Sequence, residues 1–256
     1  MPERHVLIRI TIRIVIWAKF HMQNLIVAAV CLYSQIVMSQ EKSYAHPGTD
    51  AITAARISHE IALDARHPVT EWQAAETVSF SQDWQGKNVD PERETRARVL
   101  WTPQTLYLRF ECRYRELFLF EDSEANGRRD QLWDRDVAEV FLQPDSSMPR
   151  YYREFEVSPN GLWVDLDIFP EGRRDLESGL KRSVWLDREH HVWHAELAIP
   201  MRALIANFES AAEWRVNFFR VEGSREPRFY SAWRATKTPQ PNFHVPSAFG
   251  RMRFLR

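Results

Sequence analysis

The stretch LYLRFECRY, residues 106–114, puts Leu106, Leu108, Phe110, Cys112 and Tyr114 on one side of an extended chain and Tyr107, Arg109, Glu111 and Arg113 on the other. A period of two belongs to a strand with one buried face, and a helix would scatter these side chains around its circumference. The pattern recurs along the chain. Thr95–Trp101 precedes this stretch and TPQ joins the two, which predicts a hairpin. YYREFEV and LWVDLDIF flank PNG, where Asn160-Gly161 favours a tight hairpin turn. In the second of these, Leu162, Val164, Leu166 and Ile168 alternate with Trp163, Asp165 and Asp167. VWHAELAI sets Trp193, Ala195, Leu197 and Ile199 against His194, Glu196 and Ala198, and WRVNFFRV and GRMRFL supply further strands. Pro200 is suited to open a short helix in MRALIANF. Short strands divided by turn signals predict an all-β chain: an antiparallel β-sandwich, jelly-roll-like, with one short helix after Pro200.

The first 39 residues follow another logic. VLIRITIRIVIWAKF is basic and aliphatic, and NLIVAAVCLYSQIVM then runs uncharged for the length of a signal-peptide core. Residues 1–39 are therefore expected to be an export signal, with Val37 and Ser39 before the cut and a periplasmic or extracellular destination. The alternative is a membrane anchor formed by residues 21–40, against which Gln23, Asn24, Ser34 and Gln35 count. Residues 40–60 read as an irregular lead-in, and 61–256 as the folded domain. Removal of the leader leaves Cys112 alone, so no disulfide can form within the mature chain and the fold must rest on its core.

Charge excludes several partners. The 34 Lys plus Arg are balanced by 35 Asp plus Glu, without the basic excess of a nucleic-acid binder. Phosphate-cradling glycine motifs and a nucleophile elbow are absent from the sequence. The nine His are scattered and lack the spacing of a transition-metal site. Asp165 and Asp167 share one side of a strand and could offer oxygen ligands to calcium, although acids on a solvent face are the commoner explanation. Asp134, Asp136 and Glu139 raise the thought of a glycosidase acid pair, but no nucleophile or metal motif supports them. No catalytic residue is expected.

Ten Trp residues are the unusual feature of the composition. Trp72, Trp193 and Trp214 sit in apolar or alternating contexts that predict burial. Trp133 is crowded by Arg128, Arg129, Asp130, Asp134, Arg135 and Asp136, just ahead of the strand VAEVFLQ. An indole held in a polar loop suits the C–H face of a sugar, and plugging one end of the sandwich is the competing use.

Taken in order, the LDA...EWQAA entry segment, RARVLWTPQTLYLRF, LWDRDVAEVFLQPD with YYREFEVSPNG, VWHAELAIP, EWRVNFFRVE and FHVPSAFGRMRF resemble the family 9 carbohydrate-binding modules and their family 9-like relatives, from about Ile61 to the C-terminus. The resemblance implies a β-sandwich that binds sugars without breaking them, often beside a glycoside hydrolase. It further implies a clamp of two aromatic rings on a terminal sugar. Trp133 matches the first ring, Phe243 occupies the place of the second, and Glu139 matches the acid that accepts sugar hydroxyls. Where the family has an arginine on the middle strand this chain has Glu156, and where it has a hydroxyl-binding amide on a later strand this chain has Arg220. The swapped charges imply a different ligand or none. Two readings from other classes stay open: a haem domain using Met148, Met201 or Met252 as an axial ligand, and a structural interaction module.

Overall fold

The computed structural model describes residues 50–121 and 127–255. The expected leader (1–39), with its cleavage site, and residues 40–49 of the lead-in lie outside them. The regular secondary structure of the described residues is almost entirely strand. In chain order the strands are β1 (Ala51–Arg56), β2 (Thr77–Phe80), β3 (Thr95–Trp101), β4 (Thr105–Arg113), β5 (Val137–Gln143), β6 (Tyr152–Val157), β7 (Trp163–Phe169), β8 (Gly172–Asp175), β9 (Lys181–Asp187), β10 (Val192–Pro200), β11 (Trp214–Glu222), β12 (Phe229–Ala232) and β13 (Gly250–Phe254). One turn of helix, α1 (Met201–Leu204), follows Pro200 as expected.

The strands form a β-sandwich whose halves are joined through β1. One half runs β8-β7-β6-β5-β11, with β12 and β13 sharing the far edge of β11; the other runs β3-β4-β10-β9, with β2 on β3. The N-terminal part of β1 pairs with β13 and its last residues pair with β3, so β1 turns the corner between the halves. Both of these pairings are parallel, whereas the other ladders are antiparallel. The wholly antiparallel expectation is thus corrected at this one strand. Residues 51–56 had been read as lead-in because AITAAR alternates only weakly: its buried side chains are Ile52, Ala54 and Ala55, and small Ala residues carry little periodic signal.

The predicted hairpins are present as β3–β4 and β6–β7, with Val99 opposite Leu108 and Phe155 opposite Asp165. Trp193, Trp214, Phe110 and Phe218 fill the space between the halves. The half containing β5 is buried on its other face as well, where Phe141, Val164, Leu166 and Phe219 meet Phe243 and Phe249 from the C-terminal segment. A strand covered on both faces loses alternation, and every residue of VAEVFLQ is buried. Asp165 and Asp167, read as acids that could face solvent, are buried too. The return into β13 needs Gly250: a Cβ there would lie 2.6 Å from Cζ3 of Trp233 and 2.8 Å from the carbonyl oxygen of Asp50. That close approach is the physical content of the PSAFG segment.

Candidate functional site

Trp133 lies in a single 3-10 turn, Leu132–Asp134, immediately before β5. Leu132 is fully buried and anchors the turn, while Trp133 is half-buried against the second core cluster. The turn is tied down from behind. Arg228 donates from Nη1 to the carbonyl of Trp133 (2.9 Å) and from Nε to the carbonyl of Gly223 (2.7 Å). Asp136 accepts from the backbone N–H groups of Phe118 (3.0 Å) and Gly223 (2.8 Å). Burial pushes the carboxyl of Asp136 up from its ordinary range. Asp136 therefore binds loops together rather than presenting itself to a ligand, and the charged crowd around Trp133 is largely engaged in the same way. Arg129 and Arg135 lie over the ring of Phe120, at 3.6 and 4.4 Å.

Phe243 reaches the same place from the C-terminal segment. One of its faces stacks on Phe219 at 4.3 Å between centroids and 14° between planes. Trp133 carries the guanidinium of Arg173, from β8, at 4.3 Å from its ring centroid. Both rings line a cleft of about 570 Å³, together with Glu139, Glu154, Arg228, Tyr230 and His244. This is the size of a small-molecule site. A larger groove of about 670 Å³ runs past Glu60, Leu63, Tyr107 and Lys181 on the other half. Tyr107 is its ring, and the phenol there is already committed to Glu60.

The floor of the cleft is acidic. Glu139 on β5 pairs with Glu156 on β6, and Glu154 lies two residues before Glu156 on the same face. All three are buried, and one carboxylate oxygen of each falls within 4.8 Å of the others. Burial first, and then the neighbouring charge of Glu154, raises Glu139 well above the usual carboxylate range. Burial and the charges of Glu139 and Glu154 do the same to Glu156. His244 stands at the side, accepting or donating at Nδ1 to the hydroxyl of Tyr152 (2.7 Å) and lying 3.9 Å from Oε2 of Glu154.

Of the five residues expected at the site, Trp133, Phe243 and Glu139 meet in the cleft. Glu156 belongs to the floor beneath them, as one of the acid trio. Arg220 does not: Phe219 is the residue opposite Glu139, Arg220 is opposite Ala138, and a step of one residue sends the side chain to the inter-sheet side. There it is fully buried over Trp193. Asp165 and Asp167 are also accounted for. Asp167 accepts from Tyr151 (2.9 Å) and Arg174 (2.7 Å), Asp165 accepts from the N–H of Ser178 (2.8 Å), and their remaining oxygens face Arg153 and Arg128 at 3.6 and 3.5 Å. Met201 and Met252 are core side chains. Sequence reasoning missed Arg173, Glu154 and His244; the i, i+2 spacing of Glu154 and Glu156 on one strand was the available signal for the second of these.

The sequence profile of the family described as "Carbohydrate family 9 binding domain-like" matches residues 63–255. The chain belongs to that family. Among solved structures this family 9-like domain is similar to a Bacteroides uniformis protein at TM-score 0.63 and 17% identity, over 80% of this chain and 99% of that one. It is also similar to a family 9 carbohydrate-binding module from Caldicellulosiruptor kristjanssonii, solved in complex with glucose, at TM-score 0.56 and 15% identity over 80% and 95% of the two chains. A family 9 carbohydrate-binding module from the same organism, solved in complex with cellotriose, matches at TM-score 0.54 and 14% identity, over 80% and 93% of the two chains. These likenesses establish the shared β-sandwich. A sequence relative, "Extracellular protein" of Arthroderma benhamiae, is 25% identical over 205 residues, 73% of this chain and 89% of that protein. Among the described residues no helix is long and apolar enough to cross a membrane.

Proposed function

We propose that this family 9-like domain binds carbohydrate without cleaving it, in the cleft between Trp133 and Phe243. The observation that carries this reading is the convergence of two aromatic rings, from segments far apart in the chain, over one acidic floor. Each ring has one face covered, by Arg173 or by Phe219, and a sugar would take what the cleft leaves open. Burying roughly 60 Å² of sugar against each ring contributes about 1.5 kcal/mol, so two rings contribute about 3 kcal/mol. Millimolar affinity needs about 4.1 kcal/mol. Hydroxyl contacts from Glu139, Glu154 and His244, and from Asn242, which also lines the cleft, supply the difference, and they select the sugar. Arg220, walled inside the core, is not among them.

The same reading makes the chain an exported protein, carried by residues 1–39, that helps partner glycoside hydrolases act on xylan- or cellulose-type polymers. A relative called extracellular and family 9 modules solved with glucose and cellotriose support it. Calorimetry of the purified chain with cellotriose and xylo-oligosaccharides tests the binding. Trp133→Ala should weaken it at least about tenfold, the equivalent of about 1.4 kcal/mol, with an unchanged circular dichroism spectrum. Equal affinity in the variant, or no binding to either series, would refute the site. Release of reducing sugar by the pure protein, abolished by Glu139→Gln, would refute the non-catalytic role.

A further inference from the structure

The acid trio beneath the rings is expensive as it stands. Glu139, Glu154 and Glu156 are 2%, 3% and 0% exposed, and one carboxyl oxygen of each falls within 4.8 Å of the others. Both carboxylate oxygens of Glu156, and Oε2 of Glu154, are buried and meet no hydrogen-bond donor. Buried carboxylate oxygens ordinarily find a donor or a metal, because the cost of leaving them bare is several kcal/mol per ion. The neighbouring cations do not fill this role. Arg228 gives Nε and Nη1 to backbone carbonyls and holds Nη2 3.6 Å from Asp136, Arg173 lies over Trp133, and His244 approaches Glu154 only to 3.9 Å.

Geometry names what would fit. A hard divalent cation such as calcium takes oxygen ligands at about 2.3–2.6 Å, so any two of its ligand oxygens fall within about 5 Å of each other. The three glutamates meet that limit. Their donor set is carboxylate only, which favours calcium over metals that prefer nitrogen or sulfur. Calcium takes six to eight ligands, so three glutamates leave coordination positions unfilled. Glu139 and Glu154 both line the cleft, so the open side of the trio faces it.

We infer that Glu139, Glu154 and Glu156 hold a calcium ion at the floor of the cleft, and that the ion's open positions take adjacent hydroxyls of the bound sugar. The cation site stands on the trio alone; the hydroxyl contact rests on the carbohydrate reading above. The ion would offset two of the three negative charges of the ionised trio and offer the oxygen atoms of the sugar hydroxyls a cation to coordinate. It also places calcium away from Asp165 and Asp167, whose oxygens already face arginines.

The test is titration calorimetry of the full-length protein, stripped with EDTA and exchanged into calcium-free buffer, with calcium chloride as titrant. One ion per chain is expected, at a dissociation constant no weaker than the range of extracellular calcium modules, about 10⁻⁴–10⁻³ M. Glu156→Gln, which keeps the size and stays out of the ring clamp, should weaken calcium at least about tenfold. Glu154→Gln should do the same and serves if the first variant fails to fold, as judged by circular dichroism. No binding up to about 10 mM calcium, or calcium affinity unchanged in both variants, overturns the site and leaves a proton-sharing acid cluster. Cellotriose is then titrated with calcium and with EDTA. Binding that needs calcium supports the hydroxyl contact, and equal binding in the two buffers overturns it. Calcium binding without any sugar binding retains the ion and refutes the carbohydrate reading instead.

Discussion

The guanidinium of Arg220, from β11, lies 5.1 Å from the ring centroid of Trp193, from β10, so a charged group and an indole meet across the space between the two halves of the sandwich. Arg220 is fully buried, donates to the carbonyls of Val137 and Val221, and has Glu222 3.5 Å away. A buried charge so heavily engaged is part of the core's electrostatic balance. Removing one partner of a buried pair leaves the other uncompensated, which costs about 3–5 kcal/mol. Arg220→Leu should therefore lower the free energy of unfolding by about 3 kcal/mol, less than the upper figure because Arg93 also contacts Glu222. Urea denaturation measures this. Cellotriose affinity of the folded fraction should not change, and a selective loss of binding would return Arg220 to the site.

Arg173 supports the opposite expectation. It covers Trp133 at 4.3 Å and pairs with Asp130 at 3.4 Å, at a partly exposed position. Cation–π contacts at exposed sites contribute about 0.5–1 kcal/mol. Arg173→Ala should weaken sugar binding by about threefold, the equivalent of about 0.7 kcal/mol, and shift the melting temperature little. Calorimetry at two salt concentrations checks it. Binding that tightens in the variant would mean that Arg173 competes with the sugar for the indole.

Cys112 offers a reporter of folding. It is fully buried in the inter-sheet core, and burial pushes its thiol up to about 12. The thiolate is the reactive species, so a native chain should be inert. In a Cys31→Ser background, Cys112 should not react with a chromogenic disulfide reagent at pH 8 until denaturant unfolds the domain, and its reaction should then follow the unfolding transition. Fast labelling in buffer would show that the core opens locally.

How much of this could be read from the chain depended on whether one face or two were buried. β4 and β10 alternate clearly, and their hairpin and core assignments were legible. Trp193, on β10, was placed correctly for the same reason. β5 and β11 are covered on both sides, so VAEVFLQ and WRVNFFRVE carry no parity. That is why Arg220, one step out of register with Glu139, was expected at the floor and lies in the core. Glu156, which stands where the family has an arginine, pairs with Glu139 across the strands and joins Glu154 in the floor, a grouping that cross-strand register makes and spacing alone does not state. Arg173 was illegible: nothing in GRRD ties it to Trp133 until β8 folds back along β7. The three residues that did meet, Trp133, Glu139 and Phe243, came from matching whole segments rather than from periodicity.

The loop junction behind Trp133 makes the last expectation. Asp136 receives two backbone N–H groups, from Phe118 and Gly223, while Arg228 reaches from Gly223 to Trp133 and lies 3.6 Å from Asp136. Gly223 holds a φ of +101°, a backbone conformation that side chains rarely adopt, so the three loops meet at a position that favours glycine. In Asp136→Asn the volume is kept but one acceptor oxygen becomes an NH₂ that faces a backbone donor. Losing a buried acceptor in this way costs about 1–3 kcal/mol. The variant should stay folded, lose that much stability, and exchange the amide hydrogens of Phe118 or Gly223 faster than the wild type. Sugar binding should weaken as well, although no ring and no floor residue has been touched, because Trp133 must then be ordered at the moment of binding. Hydrogen exchange read beside calorimetry separates the causes: faster exchange with weakened binding identifies Asp136 as the residue that holds Trp133 in place, whereas weakened binding with unchanged exchange would mean that Asp136 acts on the ligand itself.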